Sequence, residues 1–170
     1  MLRLSRINTL ARPEFTETLG GIFEHAPWVA EAASSQRPFE SLNALHEAMC
    51  GVVAGAGEAR QLELIRAHPD LAGRAARAGD LTAASSGEQA GAGLDRLSET
   101  EYERFHTLND AYRKRFDFPF VLAVKGHTKT SILAAFETRL EHSPEAERET
   151  ALTEIYTIAR FRLEALIGDA

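Results

Sequence analysis

Apolar residues recur at three- and four-residue steps along most of the chain, which is the spacing of an amphipathic helix. Leu42, Leu45, Met49 and Val52 follow this spacing, and a longer stripe lies further along the chain. The longer stripe consists of Tyr102, Phe105, Leu108, Tyr112 and Phe116. Similar patterns elsewhere predict about eight helices in all, and therefore an all-α protein.

Helix start and stop signals agree with this pattern. Pro13 and Pro27 each stand where the first turn of a helix tolerates proline, and Gly20 stands where a helix ends. Ser98 and Glu101 have the spacing of a capping box, in which each side chain accepts from the backbone N–H of the other residue. These signals place helices from about Pro13, Pro27 and Ser98 onward.

Only residues 116 to 125, FDFPFVLAVK, look like a strand, and Pro119 interrupts them. We expect this run to be an extended or short helical segment, because no second run could pair with it. The chain is therefore predicted to be an all-α, single-domain bundle of about eight helices that covers residues 1–170.

Composition is that of a soluble globular protein, with 44% apolar and 26% charged residues. A net charge of -6 argues against a nucleic-acid partner, which usually requires a basic face. The apolar runs are far shorter than the roughly 20 residues of a membrane span, so no membrane partner is expected. The single cysteine, Cys50, forms no internal disulfide and fits a reducing compartment, and its apolar neighbours predict a core position.

Residues 66–97 differ from the surrounding amphipathic helices because they are rich in Gly, Ala and Ser, which let backbone approach a ligand closely. His68 precedes a proline, so it is expected at a helix end. Ser85 with Glu88, and Ser86 with Gln89, match the capping-box spacing and predict a helix over about 87–97. Two interpretations stay open for Glu88 and His68: a catalytic site, or a helix cap and a helix-end hydrogen bond.

Arg162 is a charged residue on an apolar face of the last helix. At about 100° per residue it falls within the arc formed by Leu152, Ile155, Ala159 and Leu166. A buried arginine requires an anionic or hydrogen-bonding partner. That partner is either a structural carboxylate, such as Glu88, or a bound anion.

Two familiar motifs are absent. The run VKGHTKTS lacks the glycine spacing of a phosphate-binding loop. The six histidines show neither HExxH nor another close paired spacing, so no metal site is expected.

Several long motifs occur in one order along the chain: GGIFEHAPWVAE, AHPDLAG, SSGEQAGAGLDRLS, LNDAYRKRFDFPFVLAVKGHTKTSILAAFETRL and IARFRLEAL. Together they resemble the 2-oxo-4-hydroxy-4-carboxy-5-ureidoimidazoline (OHCU) decarboxylase family, from about Leu10 to Leu166. The resemblance implies an all-helical homodimeric enzyme of purine breakdown that needs no cofactor. Such enzymes act at the last step from urate to allantoin, releasing CO2 and protonating one face of the carbanion to give (S)-allantoin.

By motif match, the resemblance implies that His68 is the catalytic acid or base and that Glu88 and Arg162 are the other catalytic residues. The residues implied to bind substrate are Pro69, Ser85, Ser86, Gly87, Glu88, Gln89, Phe120, Val121, Leu122, Ala123, Val124 and Arg162. Plant and animal members are typically peroxisomal, whereas this chain ends in LIGDA rather than a peroxisomal tripeptide. A cytoplasmic, bacterial-type protein is therefore expected.

Two other functions stay open. One is a non-catalytic helical binding module on the decarboxylase scaffold, and the other is a decarboxylase of a related ureido or heterocyclic acid. A panel of such acids would separate them, because the module turns over none of them and the related enzyme prefers another acid.

Overall fold

The computed structural model describes residues 1–168. Within that range the chain forms α-helices joined by short loops, one 3-10 helix at Ser34–Gln36 and no strand beyond an isolated bridge between Leu2 and Ile167. The helices are α1 Leu4–Thr9, α2 Arg12–Leu19, α3 Pro27–Ala33, α4 Leu42–Ala54, α5 Glu58–Arg66, α6 Arg74–Ala78, α7 Ala83–Gly91, α8 Glu99–Phe116, α9 Lys129–Leu140 and α10 Pro144–Leu166. The all-α prediction is confirmed.

The chain divides into two compact units, and each is described by itself. The first unit consists of Met1–Ala67 together with the chain from Ile155 onward, and the second is His68–Glu154. Helix α10 contributes residues to both units. The prediction of one domain over residues 1–170 stays a prediction.

In the first unit, α3 packs against α2 and α4. The predicted proline starts are confirmed, because Pro13 and Pro27 both lie in the first turn of their helices. Helix α2 buries Phe15 and Leu19 completely. The predicted amphipathic pattern that begins at Leu42 corresponds to helix α4.

In the second unit, α8 packs against α9. The capping box that opens α8 is present, with Ser98 as the N-cap and Glu101 as its partner. The apolar stripe of α8 buries Phe105, Tyr112 and Phe116. The ring of Phe120 stacks on Phe136 of α9, with 3.7 Å between ring centroids.

The predicted start of α7 is wrong by several residues. The N-cap is Thr82, whose hydroxyl accepts from the N–H of Ser85, and the helix ends at Gly91 rather than near residue 97. Threonine is itself a good N-cap, and the two alanines that follow it favour the helix, so the helix begins earlier than either predicted box. Ser85 and Ser86 therefore lie inside α7, and Glu88 does not cap the helix start. The short helix α6 lies within the stretch 66–97 that is rich in Gly, Ala and Ser.

The run from residue 117 to 128 contains no helix and no strand. The short helical alternative is therefore wrong for this run, and the extended alternative stays a prediction. Nowhere in the stretch 1–168 is a helix both long enough and apolar enough to cross a membrane.

Candidate active site

His68 lies in the turn that follows α5, as the sequence predicts. The helix ends at Arg66 with Ala67 as its C-cap, and Pro69 follows the histidine directly. The side chain of His68 is buried, with 6% of the residue exposed. An imidazole in such a place is removed from bulk water while its backbone sits in a turn rather than in a helix.

Two buried amide side chains hold the turn that follows His68. The Gln89 carboxamide accepts from the N–H of Ala72 at 2.9 Å and donates to the carbonyl of Asp70 at 3.2 Å. The Asn109 amide donates to the carbonyl of Leu71 at 2.9 Å. Three consecutive backbone residues are thus fixed from α7 and α8, and with them the turn that carries the histidine.

An ion pair at the surface holds the same turn. Arg113 of α8 donates to the Asp70 carboxylate at 2.9 Å. Neither Asn109 nor Arg113 was predicted from the sequence to support the site. A signal existed for Asn109, because it lies four residues after Phe105 and three before Tyr112, inside the apolar stripe of α8.

The predicted substrate-binding residues of helix α7 differ in their exposure to solvent. Ser85 and Gln89 are buried, Glu88 is half-buried, and Ser86 and Gly87 are exposed. Ser85, Glu88 and Gln89 share one face because they are three and four residues apart. The N–H of Ser86 donates to the carbonyl of Thr82 at 2.9 Å, within the first turn of the helix.

A cavity of about 300 Å³ lies beside α7. Its wall includes Ser86, Gln89, Ala72, Arg77 and Tyr102. His68 and the Phe120–Val124 segment are not among its lining residues. Of the predicted site residues, only Ser86 and Gln89 therefore line this cavity.

The segment Phe120–Val124 is buried throughout although it forms neither helix nor strand. Three of its main-chain groups are bonded: the carbonyl of Val121 to Arg139 at 2.6 Å, the N–H of Ala123 to Glu154 at 2.9 Å, and the carbonyl of Val124 to the N–H of His127 at 2.9 Å.

Two residues of this segment differ from these three in their main-chain hydrogen bonding. Neither Phe120 nor Leu122 forms a main-chain hydrogen bond with any residue in the described stretch 1–168. Buried backbone groups without a partner are rare in proteins. A segment with such groups is suited to bind a ligand that carries both donors and acceptors.

Arg162 lies in the first unit and is buried, as its place on the apolar face predicts. Its Nη1 lies 2.7 Å from a carboxylate oxygen of Glu24 and 3.2 Å from the carbonyl oxygen of Gly21. The side chains of Arg162 and Glu24 are 7% and 2% exposed. Sequence analysis did not identify Glu24, although a carboxylate directly after Ile22 and Phe23 was a signal.

No group of three His, Cys, Asp or Glu side chains is placed to hold a metal ion among residues 1–168. In the second unit the predicted site residues carry instead an imidazole, a carboxylate, a carboxamide, hydroxyls and main-chain groups. These groups suit an organic anion that has amide-like edges.

Comparison with known proteins gives one consistent result. The family model for OHCU decarboxylase matches residues 8–164. The chain is 49% identical over 162 residues to a 2-oxo-4-hydroxy-4-carboxy-5-ureidoimidazoline decarboxylase of Haloferax volcanii, which covers 95% of this chain and 94% of that protein. It is 46% identical over 169 residues to the uric acid degradation bifunctional protein PucL of Bacillus subtilis, covering 99% of this chain and 33% of that protein.

A solved structure is also similar. The crystal structure of (S)-allantoin synthase matches with a TM-score of 0.80 and 34% identity, over 98% of this chain. This chain spans 54% of that solved chain, about half its length.

Proposed function

The chain belongs to the OHCU decarboxylase family, as its motifs indicate, and we propose that it converts 2-oxo-4-hydroxy-4-carboxy-5-ureidoimidazoline to (S)-allantoin in urate degradation. The observation that carries this function in the structure is the buried His68 on a turn held by Gln89 and Asn109. A rigid, partly dehydrated imidazole suits an enzyme that must move one proton at a chosen position.

The chemistry fits the groups that the chain offers. When the carbon–carbon bond to the carboxylate breaks, CO2 leaves and the electron pair stays on the ring carbon. The neighbouring ring C=N bond delocalises that pair, so the substrate provides its own electron sink. The hydroxyl on the carbon that lost CO2 then gives up its proton to become the carbonyl of the product, and a proton is added on one face of the neighbouring carbon, which bears the ureido group, to give the (S) product. The protein must therefore bind an anion, orient its carboxylate and deliver one proton.

His68 is the proposed proton-transfer residue. Imidazole can donate and accept a proton near neutral pH, and a well-placed acid or base contributes about 10²–10⁴-fold in rate. Pro69 keeps the histidine out of a helix. Glu88, on the same face of α7 as Ser85, is proposed to hold the ureido nitrogens or to orient the histidine.

The other proposed substrate contacts are made by side chains of α7 and α10 and by the main chain of the Phe120–Val124 segment. Gln89 uses one N–H for the turn, so its second N–H serves the ureido or ring amide edge of the substrate. Unbonded main-chain groups of the Phe120–Val124 segment bind substrate donors and acceptors. Arg162, held by Glu24, binds a substrate oxygen with its planar fork. Ser86 and Gly87 are proposed to line the same site from the exposed side of α7.

A homodimer, a cytoplasmic location and one domain are proposed with this function. The homodimer and the cytoplasmic location are expectations from the family resemblance, and the single domain is an expectation from the length of the chain. One family model that matches residues 8–164 supports treating the chain as one domain.

Circular dichroism of freshly generated substrate tests the function. The substrate is made in situ from urate by the two preceding enzymes, with and without this protein. Rapid growth of the (S)-allantoin signal is expected with the protein. The slow racemic decay of the buffer control, obtained with a folded protein, would contradict the assignment. A panel of related ureido and heterocyclic acids then shows whether another acid is preferred.

A His68→Asn variant tests the catalytic assignment. Asparagine keeps a polar group of similar size but cannot transfer a proton, so turnover should fall by about 10²–10⁴-fold while the far-UV spectrum stays unchanged. Near-normal production of allantoin by the folded variant would remove His68 from the mechanism.

A further inference from the structure

Arg139 of α9 is a buried arginine that contacts the Phe120–Val124 segment at two consecutive residues. Its side chain is 7% exposed. Nη1 donates to the carbonyl of Val121 at 2.6 Å, and the guanidinium carbon lies 4.3 Å from the ring centroid of Phe120. One side chain therefore fixes both a main-chain carbonyl and a ring of this segment.

The other nitrogens of Arg139 bind Glu147 of α10. Nε lies 3.1 and 3.0 Å from the two carboxylate oxygens, and Nη2 lies 2.9 Å from Oε2. Glu147 is fully buried and also accepts a hydrogen bond from the hydroxyl of Tyr112. Because the guanidinium is planar, a carboxylate that binds Nε and Nη2 also sets the direction of Nη1.

Two further side chains, Tyr112 and His142, bond Glu147 and support its ion pair with Arg139. Burial raises the pKa of the Tyr112 hydroxyl above its usual range, and the hydrogen bond to Glu147 raises it further, so Tyr112 stays a donor. The Nδ1 atom of His142 lies 3.0 Å from the other carboxylate oxygen. Glu147 is thus held by three side chains.

Stability of the helical core alone does not account for this network. Replacing a buried ion pair by well-packed apolar residues is often neutral or stabilising. What Arg139 adds is a donor to a buried, irregular backbone that has no strand partner. Among the residues that the structure describes, no other side chain donates to a carbonyl of the Phe120–Val124 segment.

We propose that Arg139 is a positioning residue for the decarboxylation, and that Glu147 orients it. It sets the main-chain groups of the Phe120–Val124 segment that receive the substrate, and does not itself touch the substrate. This inference rests on the proposed function, because that function makes the segment a substrate-binding element. Lysine does not replace Arg139, since one ammonium group cannot bond both Glu147 oxygens, reach Val121 and cover the Phe120 ring.

An Arg139→Lys variant is the main test, with Tyr112→Phe as the matched control. Tyr112→Phe removes a hydrogen bond from Glu147 but keeps the ring and leaves the contacts of Arg139 with the segment in place. The measurements are kcat and KM on substrate generated in situ, the melting temperature, and hydrogen exchange of peptides that cover residues 117–128.

Arg139→Lys is expected to raise KM by about tenfold with a smaller change in kcat, and to speed exchange of the 117–128 peptides. Tyr112→Phe should lower the melting temperature while KM and exchange match the wild type. A role limited to stability would instead make KM and exchange follow the melting temperature in both variants, and that result would overturn the proposal.

A second variant keeps the test decisive if Arg139→Lys does not fold. The double variant Arg139→Met with Glu147→Gln removes both buried charges, and the new amide can still accept from Tyr112. It should show the same higher KM and faster exchange. Wild-type KM and wild-type exchange in this folded variant would overturn the proposal. The exchange measurement needs no turnover, so it is independent of the activity of the wild-type chain, which tests the proposed function separately.

Discussion

Gln89 of α7 and Asn109 of α8 bond three consecutive backbone residues of one turn. The turn needs this support because Ala72 has a φ of 52°, in the left-handed region. An L-residue other than glycine or asparagine loses about 1–2 kcal/mol there. The two amides offset this strain and keep the residue before Pro69 in one place.

A Gln89→Leu variant tests the support of this turn. The N–H of Ala72 and the carbonyl of Asp70 lose their partner, so the free energy of unfolding should fall by about 1–3 kcal/mol. Turnover should also fall, because the same turn carries His68. Urea denaturation and initial rates measure the two effects. Ala84→Ser, an exposed change on the same helix and outside the proposed site, is the control and should change neither, whereas equal behaviour of the two variants would contradict this role for Gln89.

The thiol of Cys50 is expected to be unreactive in the folded protein. Burial raises its pKa to about 11 from the usual 9.0, with a further contribution from Glu47. At pH 8 this leaves about a hundredfold less thiolate than in the unfolded chain, so alkylation by iodoacetamide should be slower by about that factor. Rates in buffer and in urea measure it, and equal rates would contradict the prediction.

The same shift gives Cys50 a stability effect with a definite sign. Between pH 9 and about 11 the folded protein keeps a proton that the unfolded chain loses. Stability therefore decreases as the pH rises through this window, and is unaffected by this group below it. A Cys50→Ala variant should lose that part of the pH dependence.

At the scale of helices, sequence prediction succeeded where one signal stood alone. Pro13, Pro27 and the Ser98 box each had no competitor nearby, and their helices begin as expected. The start of α7 failed because Thr82, Ser85 and Ser86 are all good caps within five residues, and spacing alone does not choose among them.

The run 116–125 was predicted as extended or short helical, but the reason for the stability of its Phe120–Val124 segment lies outside its own sequence. Arg139 of α9 and Glu154 of α10 supply bonds that a sheet partner would otherwise make. Such long-range partners leave no local pattern. The burial of Arg139 did leave one, because it follows Ile132 and Phe136 at helical spacing on α9.

The ion pair of Arg162, on helix α10, can be tested by substitution. Taken alone, loss of a buried charge would favour stability, but Arg162→Leu leaves the buried carboxylate of Glu24 without this partner. We expect the free energy of unfolding to fall by about 3–5 kcal/mol. Adding Glu24→Gln should recover most of that loss without restoring turnover. Arg160→Leu, on the same helix and more exposed, should cost under about 1 kcal/mol and is the control in thermal unfolding.

A loss for Arg162→Leu no larger than that for Arg160→Leu would contradict this account of the pair. Recovery of both stability and turnover in the double variant would return Arg162 to a structural role. The two measurements therefore separate the ion pair from the proposed contact with substrate.

For the whole molecule, the sequence predicted which residues are buried better than it predicted their partners. Arg162 is buried as its position on the apolar face suggested, whereas only the place of His68 at a helix end was predicted and not its burial. Their neighbours Asn109 and Glu24 were missed, because a buried polar residue finds its partner through tertiary packing rather than through spacing. The chemistry itself was predicted from ordered motifs across the chain, since no single motif among them specifies a decarboxylase.

The proposed homodimer gives a prediction for the molecule as a whole. Among residues 1–168, Met1 is the only large apolar side chain that is exposed. An interface between two copies would then be formed mainly by polar and half-buried side chains rather than by a broad apolar patch. Sedimentation should give about twice the 18.7 kDa of the chain. Because charged contacts are screened by salt, the dissociation constant should rise as the salt concentration increases from 0.05 to about 0.5 M. A monomer at every concentration would contradict the dimer, and a dimer insensitive to salt would contradict a polar interface.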